Sequence, residues 1–197
     1  MAPAADGINR RGLLSVPMQL VASCLAEAAE TVYENLAYRA GRLSWSGGSA
    51  AAAVGRGGIR SNKREGDGAT PAGTYPLVFG FYREGRVRPR PSALPMRPLM
   101  PEDAWVDDPA DANYNRLVSL PYTARTEHLW RDDKIYDLIV VIGYNMEPVI
   151  PGSGSAIFLH IARPDFSNTE GCIAVRREVL ISLIPLLGPG SMITISA

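Results

Sequence analysis

One of the two histidines and one of the two cysteines of the chain lie in a single short segment. The segment is I-F-L-H-I-A-R-P-D-F-S-N-T-E-G-C-I-A-V, Ile157 to Val175, and the two residues are His160 and Cys172. A thiol with an ordinary pKa of about 8.5 is mostly protonated at neutral pH, whereas its thiolate is a strong nucleophile. An imidazole within about 3 Å can accept the thiol proton and form a thiolate–imidazolium pair. The segment therefore predicts Cys172 as a nucleophile and His160 as its general acid and base.

The residues around this pair are able to bring it together. His160 lies late in a predicted strand, so that Leu159 and Ile161 point to the opposite face. Twelve positions separate His160 from Cys172, which is enough for a loop that returns the cysteine to the strand. The turn formers of this loop are Pro164, Asp165, Ser167, Asn168 and Gly171. Gly171 also leaves room for a substrate carbonyl and frees its own N–H to face a developing oxyanion, together with that of Cys172.

Other interpretations of the same residues stay open. His160 and Cys172 are also compatible with two unrelated core residues, because a buried cysteine commonly packs as a small apolar side chain. Ser155 or Ser167 beside His160 would imitate a serine hydrolase, although the chain has no G-x-S-x-G motif. His128, in T-E-H-L-W-R-D-D, lies among charged residues and is an alternative general base.

The composition excludes several classes of function. A hydrophobic fraction of 46% and a charged fraction of 20% are typical of a soluble globular protein. The formal net charge is zero, so we expect no nucleic-acid partner. The cysteines and histidines are too far apart for the usual metal-ligand spacing, and we expect no metal. No stretch approaches the roughly 20 apolar residues of a membrane span.

The pattern from Gly41 onward predicts a mainly β domain. Alternating or β-branched stretches predict strands at 42–46, 50–59, 75–82, 135–145, 155–162 and 192–196. The segment 176–187 predicts a helix that Gly188-Pro189-Gly190 ends, and the proline-rich segment 83–113 predicts an irregular loop. Its arginines are typical either of a solvated loop or of a patch for an anionic ligand. We expect six to nine strands and one or two helices, without βαβ alternation.

The first 40 residues differ in sequence pattern from the rest of the chain and have two interpretations. Arg10-Arg11 before a moderately apolar stretch resembles an export signal, and Val21-Ala22-Ser23-Cys24 resembles the lipobox of bacterial lipoproteins. Either would place the protein in the cell envelope or periplasm, and lipidation of Cys24 would attach it to the membrane. Alternatively, this is a cytoplasmic protein whose N-terminal extension contains an ordinary helix over 25–38. We predict an extension at 1–40 and a catalytic domain at 41–197.

The motif around Cys172 resembles that of bacterial L,D-transpeptidases of the YkuD type. That family carries a strand histidine, a loop, and then Ser/Thr-x-Gly-Cys before an apolar residue, and here His160 precedes Thr169-Glu170-Gly171-Cys172-Ile173. T-P-A-G, Thr70 to Gly73, resembles the T-P-x-G hairpin of the same family, and the similarity extends from about Gly41 to Ala197. Glu170 replaces a second histidine of many relatives and Ala174 replaces an Arg or Asn. These departures bear on donor and acceptor preference.

The resemblance implies a fold, a reaction and a set of site residues. The fold would be a mainly β cradle or sandwich of two curved mixed sheets with one or two helices. The reaction would be acyl transfer on peptidoglycan stem peptides through Cys172, with His160 as acid and base and the Gly171 backbone at the oxyanion. A backbone carbonyl close in sequence to His160 would orient its ring. The candidate substrate-binding residues are Arg163, Ser167, Thr169 and Glu170.

Several functional alternatives accompany this resemblance. Water as the acceptor would make the protein a cysteine carboxypeptidase or peptide hydrolase. A third possibility is a cell-wall-binding module without turnover. The reaction needs no cofactor, and we expect a monomer.

Overall fold

Fourteen strands and one short α-helix make up residues 32–197, the part of the chain that the computed structural model describes. The strands are β1 (Leu36–Arg39), β2 (Arg42–Trp45), β3 (Gly48–Ala53), β4 (Ile59–Arg60), β5 (Thr70–Pro71), β6 (Gly73–Tyr82), β7 (Met96–Pro98), β8 (Asp103–Val106), β9 (Leu117–Ser119), β10 (Thr126–His128), β11 (Leu138–Ile142), β12 (Phe158–Ile161), β13 (Ile173–Val175) and β14 (Met192–Ile195). The helix α1 (Arg177–Leu183) continues into a 3₁₀ turn at Ile184–Leu186. The mainly β class predicted from the sequence is confirmed.

Eight of these strands form one closed, barrel-like sheet in the order β11-β12-β13-β3-β2-β1-β14-β6, and β6 pairs again with β11. The expected sandwich of two curved sheets is wrong in this respect. The reason is the length of β6, which pairs with β14 along its first half and with β11 along its second, as in Tyr75↔Ile193 and Tyr82↔Leu138. The strand β7 pairs with the C-terminal end of β6. The strands β10-β8-β9 and β4-β5 form two small separate sheets.

The segment before residue 41 contributes a strand to this sheet. β1 runs parallel to β14, with Leu36 opposite Ile193, and antiparallel to β2. The helix predicted over 25–38 is therefore wrong at its C-terminal end, because strand pairing overrides local helix propensity there. The compact unit begins at Tyr33, eight residues before the expected domain boundary. The predicted export signal, the lipobox and Cys24 lie outside the described residues.

Alternate side chains of β11 face two different hydrophobic cores. Leu138, Val140 and Ile142 belong to the first core, which lies against α1. Ile139 and Val141 belong to the second core, which includes Trp105 of β8, Phe158 of β12 and Cys172. Both faces of β11 are buried, which agrees with the continuous β-branched run that predicted this strand. Cys172, one of the predicted catalytic residues, is therefore itself part of the second core.

Two predicted elements differ in extent from the observed ones. The helix predicted over 176–187 keeps α-helical geometry only to Leu183, because Pro185 lacks the N–H that an α-helix interior requires. The segment 83–113 is irregular only in part, since it contains β7 and β8. Within residues 32–197, no helix has the length and apolar character needed to cross a bilayer.

Candidate active site

Neighbouring parallel strands bring His160 and Cys172 to one face of the main sheet. Leu159 pairs with Ile173 and His160 with Ala174. Cys172 therefore lies beside Phe158, two positions before His160. Because side chains alternate along a strand, His160 and Cys172 point to the same side. The loop 162–172 makes the connection that the sequence predicts. Both side chains contribute to the wall of a single cavity of about 580 Å³.

The imidazole of His160 is buried and oriented from two sides. Its Nδ1 lies 2.9 Å from the carbonyl oxygen of Ile161, and a carbonyl only accepts, so Nδ1 carries the proton and Nε2 is the basic nitrogen. The ring of Tyr136 meets the imidazole edge-on, with centroids 5.1 Å apart and planes at 81°. Burial lowers the pKa of His160 from 6.5 to about 4, against the hydrogen bond to Ile161, which raises it. His160 is therefore a neutral base.

The thiol of Cys172 is also buried, with 6% of the residue exposed. Sγ lies 3.2 Å from the carbonyl oxygen of Ala156, to which it donates, and accepts from the Phe158 N–H over 3.3 Å. Burial and, to a smaller extent, the nearby carboxylate of Glu127 raise the pKa of Cys172 from 9.0 to about 12. Ala156 has a φ of 52°, in the left-handed region that non-glycine residues seldom adopt. Backbone strain of this kind is concentrated at functional sites in proteins.

Burial in this structure disfavours the thiolate–imidazolium pair expected from the sequence. Burial opposes the charged form of each group, so the pKa of Cys172 rises while that of His160 falls. The two groups are consequently a neutral thiol and a neutral imidazole near neutral pH.

The loop before Cys172 is held by buried hydroxyl groups. The Thr169 hydroxyl donates to the Cys172 carbonyl over 2.6 Å, and the Gly171 N–H donates to the same hydroxyl over 3.2 Å. The Thr70 hydroxyl donates to the Gly171 carbonyl over 2.8 Å and accepts from the Gly55 N–H over 2.9 Å. Gly171 has a φ of 144°, and a Cβ there would come within 2.9 Å of the Ala69 carbonyl oxygen. The internal bond to Thr169 competes with the oxyanion role predicted for the Gly171 amide.

Most of the predicted substrate-binding residues line the cavity. Arg163, Thr169 and Glu170 belong to its wall, whereas Ser167 is exposed outside it. Glu170 forms an ion pair with Arg56, with Nε and Oε2 2.8 Å apart, and both side chains are mostly exposed. Arg163 lies 3.7 Å from a carboxylate oxygen of Asp133. The substrate-binding role of Ser167 stays a prediction, for a side chain outside the cavity wall.

Two alternative catalytic residues, His128 and Ser155, have surroundings that differ from those of His160 and Cys172. His128 lies on β10 with its side chain exposed, away from the cavity wall. Ser155 does line the cavity, but its hydroxyl donates to a carboxylate oxygen of Glu65 over 2.7 Å. Within residues 32–197, no group of three or more His, Cys, Asp or Glu side chains is arranged to hold a metal ion.

Three residues that the sequence did not single out lie beside the pair. The Tyr136 hydroxyl donates to Glu127 over 2.6 Å, and both line the cavity. Lys63 also lines it, with 6% of the residue exposed. No local pattern indicates these roles, because Tyr136 adjoins an apolar strand, Glu127 lies in a charged segment and Lys63 in a turn-rich one.

Comparisons with known proteins agree with this architecture. Residues 27–195 match the family model YkuD, described as the L,D-transpeptidase catalytic domain. No curated protein and no solved structure matches the chain. The family match covers most of the chain and both residues of the buried pair.

Proposed function

Because the chain belongs to the YkuD family of L,D-transpeptidase catalytic domains, we propose that it transfers an acyl group of a peptidoglycan stem peptide through Cys172. The observation that carries this proposal is the buried pair of His160 and Cys172 on one face of adjacent strands, in the wall of a single cavity. The proposed donor is a tetrapeptide stem that ends in D-alanine. The proposed product is a 3–3 crosslink or a stem with an exchanged terminal D-amino acid.

In the first step, Cys172 Sγ attacks the carbonyl carbon of the third residue of the stem, a diamino acid. The thiol proton passes to Nε2 of His160 as the C–S bond forms, and the carbonyl electrons move to the oxygen. When this intermediate collapses, the C–N bond to the terminal D-alanine breaks and its nitrogen takes the proton from His160. The products are a thioester on Cys172 and free D-alanine.

In the second step, a side-chain amine of a neighbouring stem attacks the thioester. His160 accepts the proton of this amine, the new C–N bond forms and the C–S bond breaks. The sulfur then recovers the proton as the thiol. Water in place of the amine would give hydrolysis, and a free D-amino acid would give exchange.

The local hydrogen bonds support these proton movements. The bond from Nδ1 to the Ile161 carbonyl fixes the tautomer that leaves Nε2 basic. In the resting protein the thiol proton is donated to the Ala156 carbonyl, and the proposed step moves this proton to Nε2. The first transfer starts from a neutral thiol and a neutral imidazole, the forms that burial favours in this site.

The charges of the cavity support a substrate with groups of both signs. Its basic side chains are Lys63, Arg125, Arg131 and Arg163. Its acidic side chains are Glu65, Asp107, Glu127 and Glu170. A stem peptide carries both ammonium and carboxylate groups, and such a mixed wall can pair with each. We propose that Arg163 meets a substrate carboxylate and that Thr169 acts by supporting the loop.

The decisive experiment compares native protein with the Cys172→Ala variant on purified tetrapeptide stems, with mass spectrometry of the products. We expect crosslinked or exchanged product from the native protein and none from the variant. Cys24→Ala, which removes the other cysteine, is the matched control and should retain activity. Unchanged product formation by Cys172→Ala would reject the proposal. Reactions with and without an added D-amino acid separate transfer from hydrolysis, and binding without any product identifies a wall-binding module.

We also propose that the protein acts in the cell envelope, where its substrate lies. The support is the Arg10-Arg11 and Val21–Cys24 pattern of the N-terminal segment. The mass of the mature protein from its native host tests this proposal. A mass that includes an uncleaved and unmodified N-terminal segment would contradict it.

A further inference from the structure

Lys63 places a buried ammonium group in the wall of the cavity that contains Cys172. The lysine lies in the loop between β4 and β5, and its side chain is 3% exposed. Burial of an ammonium is costly unless the charge is paired and hydrogen-bonded. A buried lysine in the wall of a reactive cavity therefore calls for both a partner and a role.

The partner of Lys63 is Asp67. Lys63 Nζ donates to Asp67 Oδ1 over 2.8 Å and to the Arg64 carbonyl over 3.3 Å. The Asp67 carboxylate also accepts from the Arg64 and Ala69 N–H groups, each over 2.8 Å. Burial raises the pKa of Asp67, but the bonds from Lys63 and these amides outweigh it and lower the pKa below its ordinary value. Asp67 is thus a firmly held anion that fixes the ammonium in place.

Two glycines leave space for this side chain next to the nucleophile. A Cβ at Gly154 would lie 2.7 Å from Lys63 Cε, which is too close for any other residue at that position without movement. A Cβ at Gly171 would lie 3.6 Å from Lys63 Nζ. The ammonium is therefore packed against the residue that directly precedes Cys172. An ammonium has three N–H donors, and Asp67 and Arg64 account for two of them.

We propose that Lys63 is a further catalytic residue, whose remaining N–H donates to the substrate oxyanion during acylation of Cys172. The inference rests on the function proposed above. Lys63 supplies a hydrogen-bond donor to the oxyanion. The Gly171 amide, the donor predicted from the sequence, already has an internal partner, the Thr169 hydroxyl. A fixed cation beside a developing negative charge in a water-poor site is among the strongest forms of transition-state stabilisation.

The chemical step keeps Lys63 protonated throughout. As the C–S bond forms, the carbonyl electrons become the negative charge on oxygen that the Lys63 N–H stabilises. When the C–N bond breaks, those electrons return to the carbonyl and the hydrogen bond weakens. The only proton transferred is that of the thiol, which passes through His160 to the leaving nitrogen.

The test compares two reactions of Cys172 in native protein and in the Lys63→Met variant, both followed by intact mass. Acylation by a carbapenem opens a strained amide ring and passes through an oxyanion. Alkylation by iodoacetamide displaces iodide at a saturated carbon and forms no oxyanion. We expect Lys63→Met to lower the saturating rate of acylation by about 10²–10³-fold, the effect of losing one oxyanion donor. The alkylation rate at the same pH should fall far less, because the Lys63 charge lowers the pKa of the Cys172 thiol only as a minor cause.

Three further variants sharpen this comparison. Lys134→Met removes the other lysine of the chain, which is exposed, and should leave both reactions unchanged. Lys63→Arg keeps a cation and should recover part of the acylation rate. If Lys63→Met is unfolded by circular dichroism, Lys63→Gln replaces it, because the glutamine amide can still donate to Asp67.

Each alternative outcome overturns the inference. An unchanged acylation rate would show that Lys63 does not donate a hydrogen bond to the oxyanion. An equal loss of rate in both reactions would show that Lys63 acts on the ionisation of the thiol or on the fold. A rise in the half-saturating carbapenem concentration without loss of the saturating rate assigns it to ground-state binding. Failure of the native protein itself to be acylated contradicts the proposed function instead, so that the two failures are distinguishable.

Discussion

At the scale of single residues, burial acts on both His160 and Cys172 and favours their neutral forms. It raises the pKa of Cys172 to about 12 and lowers that of His160 to about 4. A cysteine with a neutral thiol reacts slowly with general electrophiles, because the thiolate is the attacking species. Under the proposed mechanism, the reactivity of Cys172 is therefore reserved for substrates that bind in the cavity, where His160 accepts the thiol proton.

The neutral His160 also has a consequence for stability. Its pKa in the folded protein, about 4, lies below the ordinary value of 6.5. As the pH falls from 6.5 towards 4, the unfolded chain binds a proton that the folded protein does not, so the folded state loses stability. The loss is about 3 kcal/mol at the acid end of this window. Urea unfolding at pH 7, 5.5 and 4 should show this dependence.

Matched substitutions isolate the contribution of His160. His160→Gln should reduce the slope of unfolding free energy against pH between 6.5 and 4 by the equivalent of one proton. His128→Gln removes the exposed histidine and should leave the slope as in the native protein. A native slope in the His160 variant would mean that the histidine is not the group responsible.

At the scale of elements, the site depends on a loop contact between distant parts of the chain. The Thr70 hydroxyl, fully buried at the start of β5, bonds both the Gly55 N–H and the carbonyl of Gly171. Thr70 and Gly171 are 101 positions apart in the sequence. The T-P-A-G segment is thus hydrogen-bonded to the loop that carries Cys172.

Replacing Thr70 with valine keeps the shape of the side chain and removes its hydroxyl. We expect the unfolding free energy to fall by about 1–3 kcal/mol, because two buried backbone groups lose their partner. The rate of Cys172 acylation should fall as well, since the loop loses a fixed point. Thr74→Val is the control, because the hydroxyl of Thr74 bonds that of Thr194 at an exposed position. Equal stability of the two variants would show that Thr70 does not hold the loop.

The sequence predicted the elements near the site better than the contacts between them. The strand around His160, the returning loop and the position of Cys172 follow from side-chain alternation and turn-forming residues, which are local signals. The positions of Lys63 and Tyr136 in the cavity wall depend on packing between segments far apart in sequence, and no local pattern encodes such packing. The charge state of Cys172 was also missed, because burial is a property of the folded molecule.

At the scale of the whole molecule, β6 joins the two ends of an eight-stranded sheet. Its pairing with both β14 and β11 turns an expected sandwich into a closed sheet. Strand propensities alone do not distinguish these architectures, since each needs similar strands. The pairing partners of β6 decide between them, and they lie more than 50 residues away in the chain.

Gly80 is where this closure is most sensitive to substitution. A Cβ there would come within 2.5 Å of the Ile139 carbonyl oxygen on β11 and of the Met96 sulfur on β7. Gly80→Ala should lower the unfolding free energy by about 1–3 kcal/mol, the usual cost of forcing an extra methyl group into a packed site. Urea unfolding measures this loss. Gly47→Ala is the control, because the nearest atoms there belong to the Trp45 side chain, and an equal effect in both variants would refute the assignment.

The pairing of β1 with β14 has a consequence for synthesis of the protein. Leu36 lies opposite Ile193, so the sheet closes only when residues 192–195 are available to β1 and β6. A nascent chain emerging from the ribosome would hold β1 and β6 without this partner until translation has passed the last strand. Such unpaired strand edges are templates for association with other chains. The interval between translation of β6 and of β14 is consequently when these strand edges are most open to association with other chains.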